Sequence, residues 1–315
     1  MQGPAAVAEP LLSFVVPATD DPPTLAAAVA AIEPGLRAGD ELIVQREPER
    51  GGPALARNLG AERASGEVLV FVDADVVVAP DAIARIRSAF TGPRAADAVF
   101  GAYDANPADP GVVSRYRNLL HHHVHASSAG PADTFWAGLG AVRRDRFAAV
   151  GGFDALRFRS PSVEDVELGM RLRESGAAIL LDPAIRGRHL KRWTLRSMLS
   201  TDHSRRARPW ARLLLEAGTG APRSLNLTLD RRLSAAFSVL CVGALTVRRP
   251  LAAAAALAAV AGLNRGLLRL LARRGGPGLA AAGLVLQIAH ELSAVTAVPA
   301  ALIQHKLDPG RGPLS

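Results

Sequence analysis

With 315 residues, the chain is long enough for one large domain and an appendage, or for two ordinary domains. Hydrophobic residues at 49% and charged ones at 21% exclude a disordered or fibrous chain, and a single cysteine, Cys241, excludes a disulfide framework and a cysteine-based zinc site. The net charge of +8 points to an anionic partner such as phosphate, nucleic acid or a lipid surface, although the basicity is nearly all arginine, a skew that biased codons explain as readily as function.

Met1 to Pro10 carries Glu9 and no basic residue, so no secretory signal is expected. Leu12 to Val16 is an apolar run closed by Pro17, the pattern of a buried strand. Thr24 to Ile32 reads as a helix behind Pro23, and Glu41 to Val44 as a second strand. A second helix is expected over Arg57 to Ala64, a third strand over Val68 to Val72 and a third helix over Pro80 to Phe90. This alternation predicts an α/β domain with a mainly parallel sheet. Ligands of such sheets bind outside the carboxyl ends of the strands, where Asp20, Gln45 and Asp73 fall.

From Arg186 to Arg212 run nine arginines or lysines and one acid, Asp202, interleaved with Trp193 and Trp210. Arginine beside tryptophan suits a helix in the lipid headgroup layer. Nucleic acid would suit the same composition, but no binding module accompanies it and apolar stretches follow directly, so no nucleic-acid partner is expected. Composition changes near Leu229. Leu233 to Val247 and Leu251 to Leu263 are apolar and separated by Arg248, Arg249 and Pro250, while Gly278 to Ile303 would measure ~39 Å as a helix, enough to cross a bilayer. The first two are short for spanning helices and leave a re-entrant hairpin open. An alanine-rich soluble bundle is the competing reading, against which stand the arginine pairs and the scarcity of other charge. Gln287, His290 and Glu291 share one helical face, which should pack inward.

The expected organisation is an α/β domain over 1–215 that includes the basic segment 186–215, a linker over 216–232, membrane-associated helices over 233–305 and a tail over 306–315. The α/β domain is expected on the cytoplasmic side of the cell membrane. Arg231, Arg232, Arg265, Arg269, Arg273 and Arg274 would lie inside, with Arg248 and Arg249 outside.

Asp73-Ala74-Asp75 directly follows the strand VLVFV. Two carboxylates spaced by one residue at a strand's carboxyl end can hold a hard divalent cation that bridges phosphate oxygens. His121 and His125 have acceptable zinc spacing on a helix, but no third ligand is evident.

In its first two thirds, about residues 11 to 215, the chain resembles the family 2 glycosyltransferases of the GT-A fold. The resemblance rests on an ordered set: LLSFVVPATD; GGPALARNLGAERASGEVLVFVDADV, which joins a G-x-x-x-A-R-N-x-G helix to the D-x-D; Gly138 to Arg143; Gly151 to Asp154; Ser162-Val163-Glu164-Asp165, similar to the family's E-D motif; and His189 to Trp193, similar to the Q-x-x-R-W element of membrane-bound members with His for Gln. It implies a Rossmann-like catalytic domain followed by hydrophobic helices. It also implies inverting transfer from a nucleotide-sugar donor to a lipid-linked or membrane-proximal acceptor, with Mg2+ or Mn2+. Asp165 would be the general base, with Glu164 or Glu167 as substitutes; Asp165 as a mere helix cap is the alternative. Donor contacts would come from Pro17, Asp20, Arg57, Asn58, Asp73 and Arg192, and the acceptor side from Gly138, Gly140 and Trp193. Asp75 would bind the metal, Asp73 the metal or ribose, and His189 the metal or the pyrophosphate; a plain core histidine is the bland reading of His189.

One departure stands out. The family's second strand usually ends in aspartates that help recognise the base, and here Gln45-Arg46-Glu47-Pro48 stands instead. That puts nucleotide preference in doubt and keeps a non-catalytic nucleotide- or partner-binding member as the rival reading.

Overall fold

A computed structural model describes residues 9–46, 48–49, 51–93, 95–218 and 228–307. Expectations that fall on residues 1–8, Glu47, residues 219–227 of the linker and residues 308–315 of the tail lie outside the described residues. The chain divides into two compact units, Met1–Asp104 with Ser128–Leu190, and Ala105–Ser127 with Lys191–Ser315.

In the first unit, strand β1 (Leu12–Pro17) pairs in parallel with β2 (Glu41–Gln45) and β3 (Val68–Val72). Helices α1 (Leu25–Ile32) and α2 (Gly52–Arg63) make the crossovers. All five β3 residues are buried, as expected of a central parallel strand whose both faces are covered. After β4 (Val76–Val78) and α3 (Ala82–Ala89) come β5 (Ala98–Tyr103), then β6 (Gly130–Pro131), β7 (Leu139–Arg143), α5 (Arg144–Ala149), α6 (Glu164–Glu174) and β8 (Ile179–His189).

The strand order is β2-β1-β3-β7-β5-β8-β4, with β6 on β8. This sheet is mixed, which corrects the mainly parallel expectation. Its β1–β2, β1–β3 and β5–β8 pairings are parallel, whereas β3–β7, β5–β7, β4–β8 and β6–β8 are antiparallel. A short apolar run reads the same in either direction, so β7, which enters between β3 and β5, gave no sign of its reversal.

Helix α2 begins five residues before its expected start at Arg57, because Pro53 occupies the first turn, where a missing N–H costs nothing. Gly52 must be glycine: its φ is +78°, and a Cβ would lie 2.6 Å from the Arg159 carbonyl oxygen. Gly60 brings the helix onto β1, where a Cβ would meet Val15 at 2.3 Å. The G-x-x-x-A-R-N-x-G pattern is therefore a packing device with one functional side chain in its middle.

The second unit begins with α4 (Val112–Ala126). It continues through α7 (Leu195–Ser200), a π-helical segment Thr201–Ala207 and α8 (Arg208–Ala217). The helices α9 (Leu229–Thr246) and α10 (Pro250–Leu263) form a hairpin, and α11 (Arg265–Leu307) is broken at Gly275 and Gly276. Thr194 and Ser197 cap α7 reciprocally. Leu267, Leu271, Leu279 and Leu286 of α11 share a core with Tyr116, Leu119 and Leu120 of α4, together with Trp193 and Met198. Gln287 and Glu291 are buried as their spacing predicts. Tyr116 donates to the Gln287 amide oxygen at 2.7 Å, and Glu291 accepts from Ser234 at 2.6 Å, Ser238 at 2.5 Å and Gln287 at 2.8 Å. Among the described residues one helix, α11, is long and apolar enough to cross a bilayer by length and composition.

The contrast between two glycines tests the α2 reading. Gly52→Ala should destabilise the full chain beyond the about 1–2 kcal/mol of a left-handed residue alone, because it adds a backbone clash. Gly176→Ala, with φ +83° and open space around it, should cost only that conformational penalty. Thermal melts of the two variants in detergent check the order.

Candidate active site

Asp73 and Asp75 stand in the turn after β3. The Asp73 N–H donates to the Gly138 carbonyl at 3.1 Å, which ties this turn to the loop before β7. Beneath it lies Arg57, 4% exposed, whose guanidinium donates to Asp73 Oδ1 at 2.7 Å and to Glu164 Oε1 at 3.0 Å. A buried cation in water-poor surroundings needs such partners, and here they come from the D-x-D and E-D motifs. The neighbouring Asn58 was expected at the donor. Its amide is engaged by the Phe153 backbone instead, donating to the carbonyl at 2.8 Å and accepting from the N–H at 2.9 Å. That clamp holds the Gly151–Asp154 turn, whose Phe153 ring packs on Phe71 and Phe147.

The carboxylates of α6 divide their duties. Glu164 accepts from Arg57 and from the Ser162 N–H at 2.8 Å, so both of its oxygens are occupied. Glu167 accepts twice from Arg171, at 2.6 Å each, and Arg171 in turn donates to the Gly152 carbonyl at 2.7 Å. Asp165 is half-buried and is not the cap: Val163 holds that position, with no side-chain cap bond. Its oxygens accept from the Val166 N–H at 2.8 Å and the Ala137 N–H at 3.3 Å. Burial and then the adjacent Glu164 charge raise its pKa to about 7, against the opposing pull of Arg57 and the two N–H donors. Desolvation likewise holds Asp73 above the usual carboxylate range, with Asp75 adding to it and Arg57 opposing.

The antiparallel pairing of β4 with β8 sets Val76 opposite His189, and so brings Asp75 next to that histidine. His189 Nε2 lies 3.2 Å from Asp75 Oδ2. The imidazole stacks on Tyr103, centroids 4.3 Å apart at 8°, and Tyr103 meets Trp136 edge-on at 4.9 Å. Among the described residues no group of three or more histidine, cysteine, aspartate or glutamate side chains forms a metal cage. A carboxylate and an imidazole nitrogen facing each other nevertheless fit a divalent ion that takes its other ligands from phosphate and water, the habit of Mg2+ and its like. His121 and His125, by contrast, meet each other within α4, ring centroids 3.9 Å apart and tilted by 37°.

Sequence reasoning missed Tyr103 and Trp136. The signal available was the Phe135-Trp136 pair before the glycine loop. Gly138 and Gly140, expected on the acceptor side, make room for that tryptophan: a Cβ on Gly138 would meet the indole at 2.6 Å, and one on Gly140 the Trp136 carbonyl at 2.4 Å. Pro17 ends β1 opposite Gln45, and Asp20 is exposed in the following turn. Gln45 is buried, its amide oxygen accepting from Arg63 at 3.1 Å. The last expected motif is divided. His189 closes β8, whereas Arg192 and Trp193 belong to the second unit. There Trp193 is buried, with Lys191 at 4.4 Å and Arg117 at 5.6 Å from its ring, and the largely exposed Arg192 lies 3.9 Å from Asp109.

Residues 15–151 match the family model described as glycosyl transferase family 2. No curated protein matches the chain. Among solved structures, a mannosyltransferase from Pyrobaculum calidifontis in complex with GDP-Man and Mn2+ is similar, at 18% identity and a TM-score of 0.56, over 95% of this chain and 91% of that one. Weaker likenesses are GalNAc-T7 with UDP, GalNAc and Mn2+ (16% identity, TM-score 0.45, 66% of this chain and 48% of that one) and TarS 1-349 from S. aureus (16% identity, TM-score 0.44, 91% of each). At such identity the mannosyltransferase likeness is one of fold, and that fold is GT-A.

Arg57→Met should cost on the order of 3 kcal/mol of stability, since it strands two carboxylates, and Arg57→Met with Glu164→Gln should recover part of it. Denaturant unfolding of both variants in one detergent reads the difference.

Proposed function

For a chain whose residues 15–151 form a glycosyl transferase family 2 domain, we propose inverting transfer of a sugar from a nucleotide diphosphate donor to a hydroxyl or phosphate of a lipid-linked or membrane-proximal acceptor. The observation that carries this reading is the division of the four carboxylates: Asp73 and Glu164 are bound by Arg57, Asp75 faces His189, and Asp165, which forms no ion pair among the described residues, accepts from two backbone N–H groups and is poised near neutrality.

A base of that pKa is ionised in useful amount at neutral pH and still basic enough to accept a hydroxyl proton. Asp165 would take that proton as the acceptor oxygen bonds to the anomeric carbon and the bond to the diphosphate breaks on the opposite side; the Val166 and Ala137 N–H groups hold its orientation. Where the acceptor is a phosphate, no proton need move. Asp75 and His189, with Asp73 beside them, would hold Mg2+ or Mn2+. When bound, such an ion supplies the charge that stabilises the departing diphosphate. Pro17 and Asp20 would border the nucleoside.

The basic segment and the apolar helices of the second unit would keep the enzyme at the membrane, with the catalytic domain cytoplasmic. GDP-mannose heads the donors to try, because the mannosyltransferase of the same fold was solved with it and Mn2+. Gln45, neutral and held by Arg63 where an aspartate is usual, is the one observation that favours the non-catalytic reading.

Detergent-purified protein with Mn2+ and a panel of nucleotide sugars should release nucleotide diphosphate from one donor. Asp165→Asn should lower that rate on the order of 10²–10⁴-fold. Since the base must be ionised, kcat/KM for a hydroxyl acceptor should climb with pH and level off above about 7. The stability linkage has the same origin: a folded-state pKa above the unfolded one means that Asp165 favours the fold below the ordinary carboxylate range and loses that contribution as pH rises through about 7. Asp165→Asn should therefore melt no lower than the parent at pH 8. Chelation should abolish turnover, and His189→Ala should raise the Mn2+ needed. A silent panel, with no nucleotide binding by calorimetry, would support the non-catalytic reading.

A further inference from the structure

We propose that the α9–α10 hairpin lies side-on in one leaflet of an anionic membrane, with Arg248 and Arg249 on lipid phosphates, and that none of the described helices crosses the bilayer. The inference rests on the membrane reading above and adds the surface that makes the contact.

The helix of crossing length, α11, is engaged along one face by polar and charged neighbours. Arg115 donates to the Arg274 carbonyl, and Tyr116 to Gln287. His290 Nδ1 lies 2.7 Å from Asp202 Oδ2, and the other Asp202 oxygen lies 2.6 Å from Arg117. His203 Nδ1 is 3.2 Å from the Ser293 carbonyl, and Ser293 Oγ donates to the Leu199 carbonyl at 3.1 Å. Ala297 and Ala301, farther along, are fully buried. Passing Gly278–Ile303 through hydrocarbon would therefore carry Arg117, Asp202 and His203 with it, and Arg205, Arg206 and Arg208 in the turns that follow. Ionisable groups at that depth are costly, and so many on one side of a single helix mark a helix that stays with its polar partners.

The other side of α11 is apolar and exposed, at Val285, Val298 and Ile303 among others; the hairpin shares that apolar exposure but has no comparable charged flank beyond Ser238. It buries a narrow seam, Ser234, Ser238 and Cys241 on α9 against Ala253, Ala256 and Val260 on α10. Its outer surface exposes Val239, Leu240, Val242, Leu245, Val247 and Leu251. From Val239 to Leu263 the only charges are Arg248 and Arg249, with no acid. An exposed apolar patch of that kind marks an interaction surface.

Length and charge choose among the ways of covering it. At 18 and 14 residues the helices measure about 27 and 21 Å, less than the ~30 Å of hydrocarbon. Their base is also held by the Ser234, Ser238, Asn264 and Glu291 hydrogen bonds, which leaves only about 12 Å of α9 beyond Ser238. Dipping tip first would bring both arginines toward the bilayer centre. Lying side-on lets their methylene stems follow the apolar surface while the guanidiniums reach phosphates. A second copy would offer the same cations with no acid to meet them, so charge complementarity selects the anionic lipid surface.

Cysteine labelling of the full chain in membranes tests this, since Cys241 is buried and should stay silent. Arg248→Cys, and Glu174→Cys as an exposed reference on the first unit, would be treated with an impermeant maleimide in everted vesicles and in intact spheroplasts. Both should label from the same side. Labelling of Arg248→Cys from the opposite side alone overturns the proposal. So does a lipid-free dimer in which that position is shielded. The double variant Leu240→Glu with Leu245→Glu should bind phosphatidylglycerol vesicles on the order of tenfold less tightly, or worse, while turning over donor in detergent. Undiminished vesicle binding overturns the seating and leaves the transferase reading intact; donor silence of the parent chain strikes that reading instead.

Discussion

The buried guanidinium of Arg57 is the interaction on which the site depends. It reaches the site because α2 starts at a glycine no other residue can replace, presses onto β1 through Gly60, and is fastened at Asn58 to the Phe153 turn. From that position it joins a carboxylate after β3 to one at the start of α6. One positive charge cannot serve all the acids around it. Asp73 and Glu164 take it in direct hydrogen bonds, Asp75 turns to His189, and Asp165 keeps its proton up to about pH 7. Burial and the adjacent Glu164 charge are what poise it, against the opposing pull of Arg57.

A second constraint is the sheet register. The three-residue strand β4 sits antiparallel to the end of β8, and that pairing alone brings Asp75 to a histidine far away in the chain. The ring is then held flat by Tyr103. The residues proposed to hold the metal and the residue proposed as base are in this way placed by different parts of the fold, the first by a sheet edge and the second by a helix start.

Much of this was legible in the sequence. Apolar runs ending in Pro17, Gln45 and Asp73 placed the parallel half of the sheet, and the motif order placed Asp165, Glu164, Asp75 and His189 in one unit. Direction and side-chain choice were not legible. Burial fixes that LGAVR is a strand but not which way it runs. The residue letters do not say that Asn58 would hold a backbone rather than a ligand, or that Glu167 would be taken by Arg171 one turn away. Nor does the run from His189 to Trp193 reveal that its histidine closes a strand of one unit while its tryptophan joins the core of the other. Such outcomes depend on which partner lies within 3 Å after folding, and a linear pattern carries little of that.

The second unit shows the same limit for hydropathy. Gly278–Ile303 has the length and composition of a spanning segment, yet hydrogen bonds from Tyr116, Asp202 and His203 mark its inner face. Composition alone cannot separate a helix solvated by lipid from one solvated by polar neighbours. The central claim, that burial beside Glu164 leaves Asp165 as the poised base, has a direct measurement. Carbon-13 NMR titration of the aspartate side-chain carboxyls, with Asp165→Asn to assign the signal, should give Asp165 a midpoint near 7. A midpoint near 4, the ordinary value for an aspartate, would contradict it.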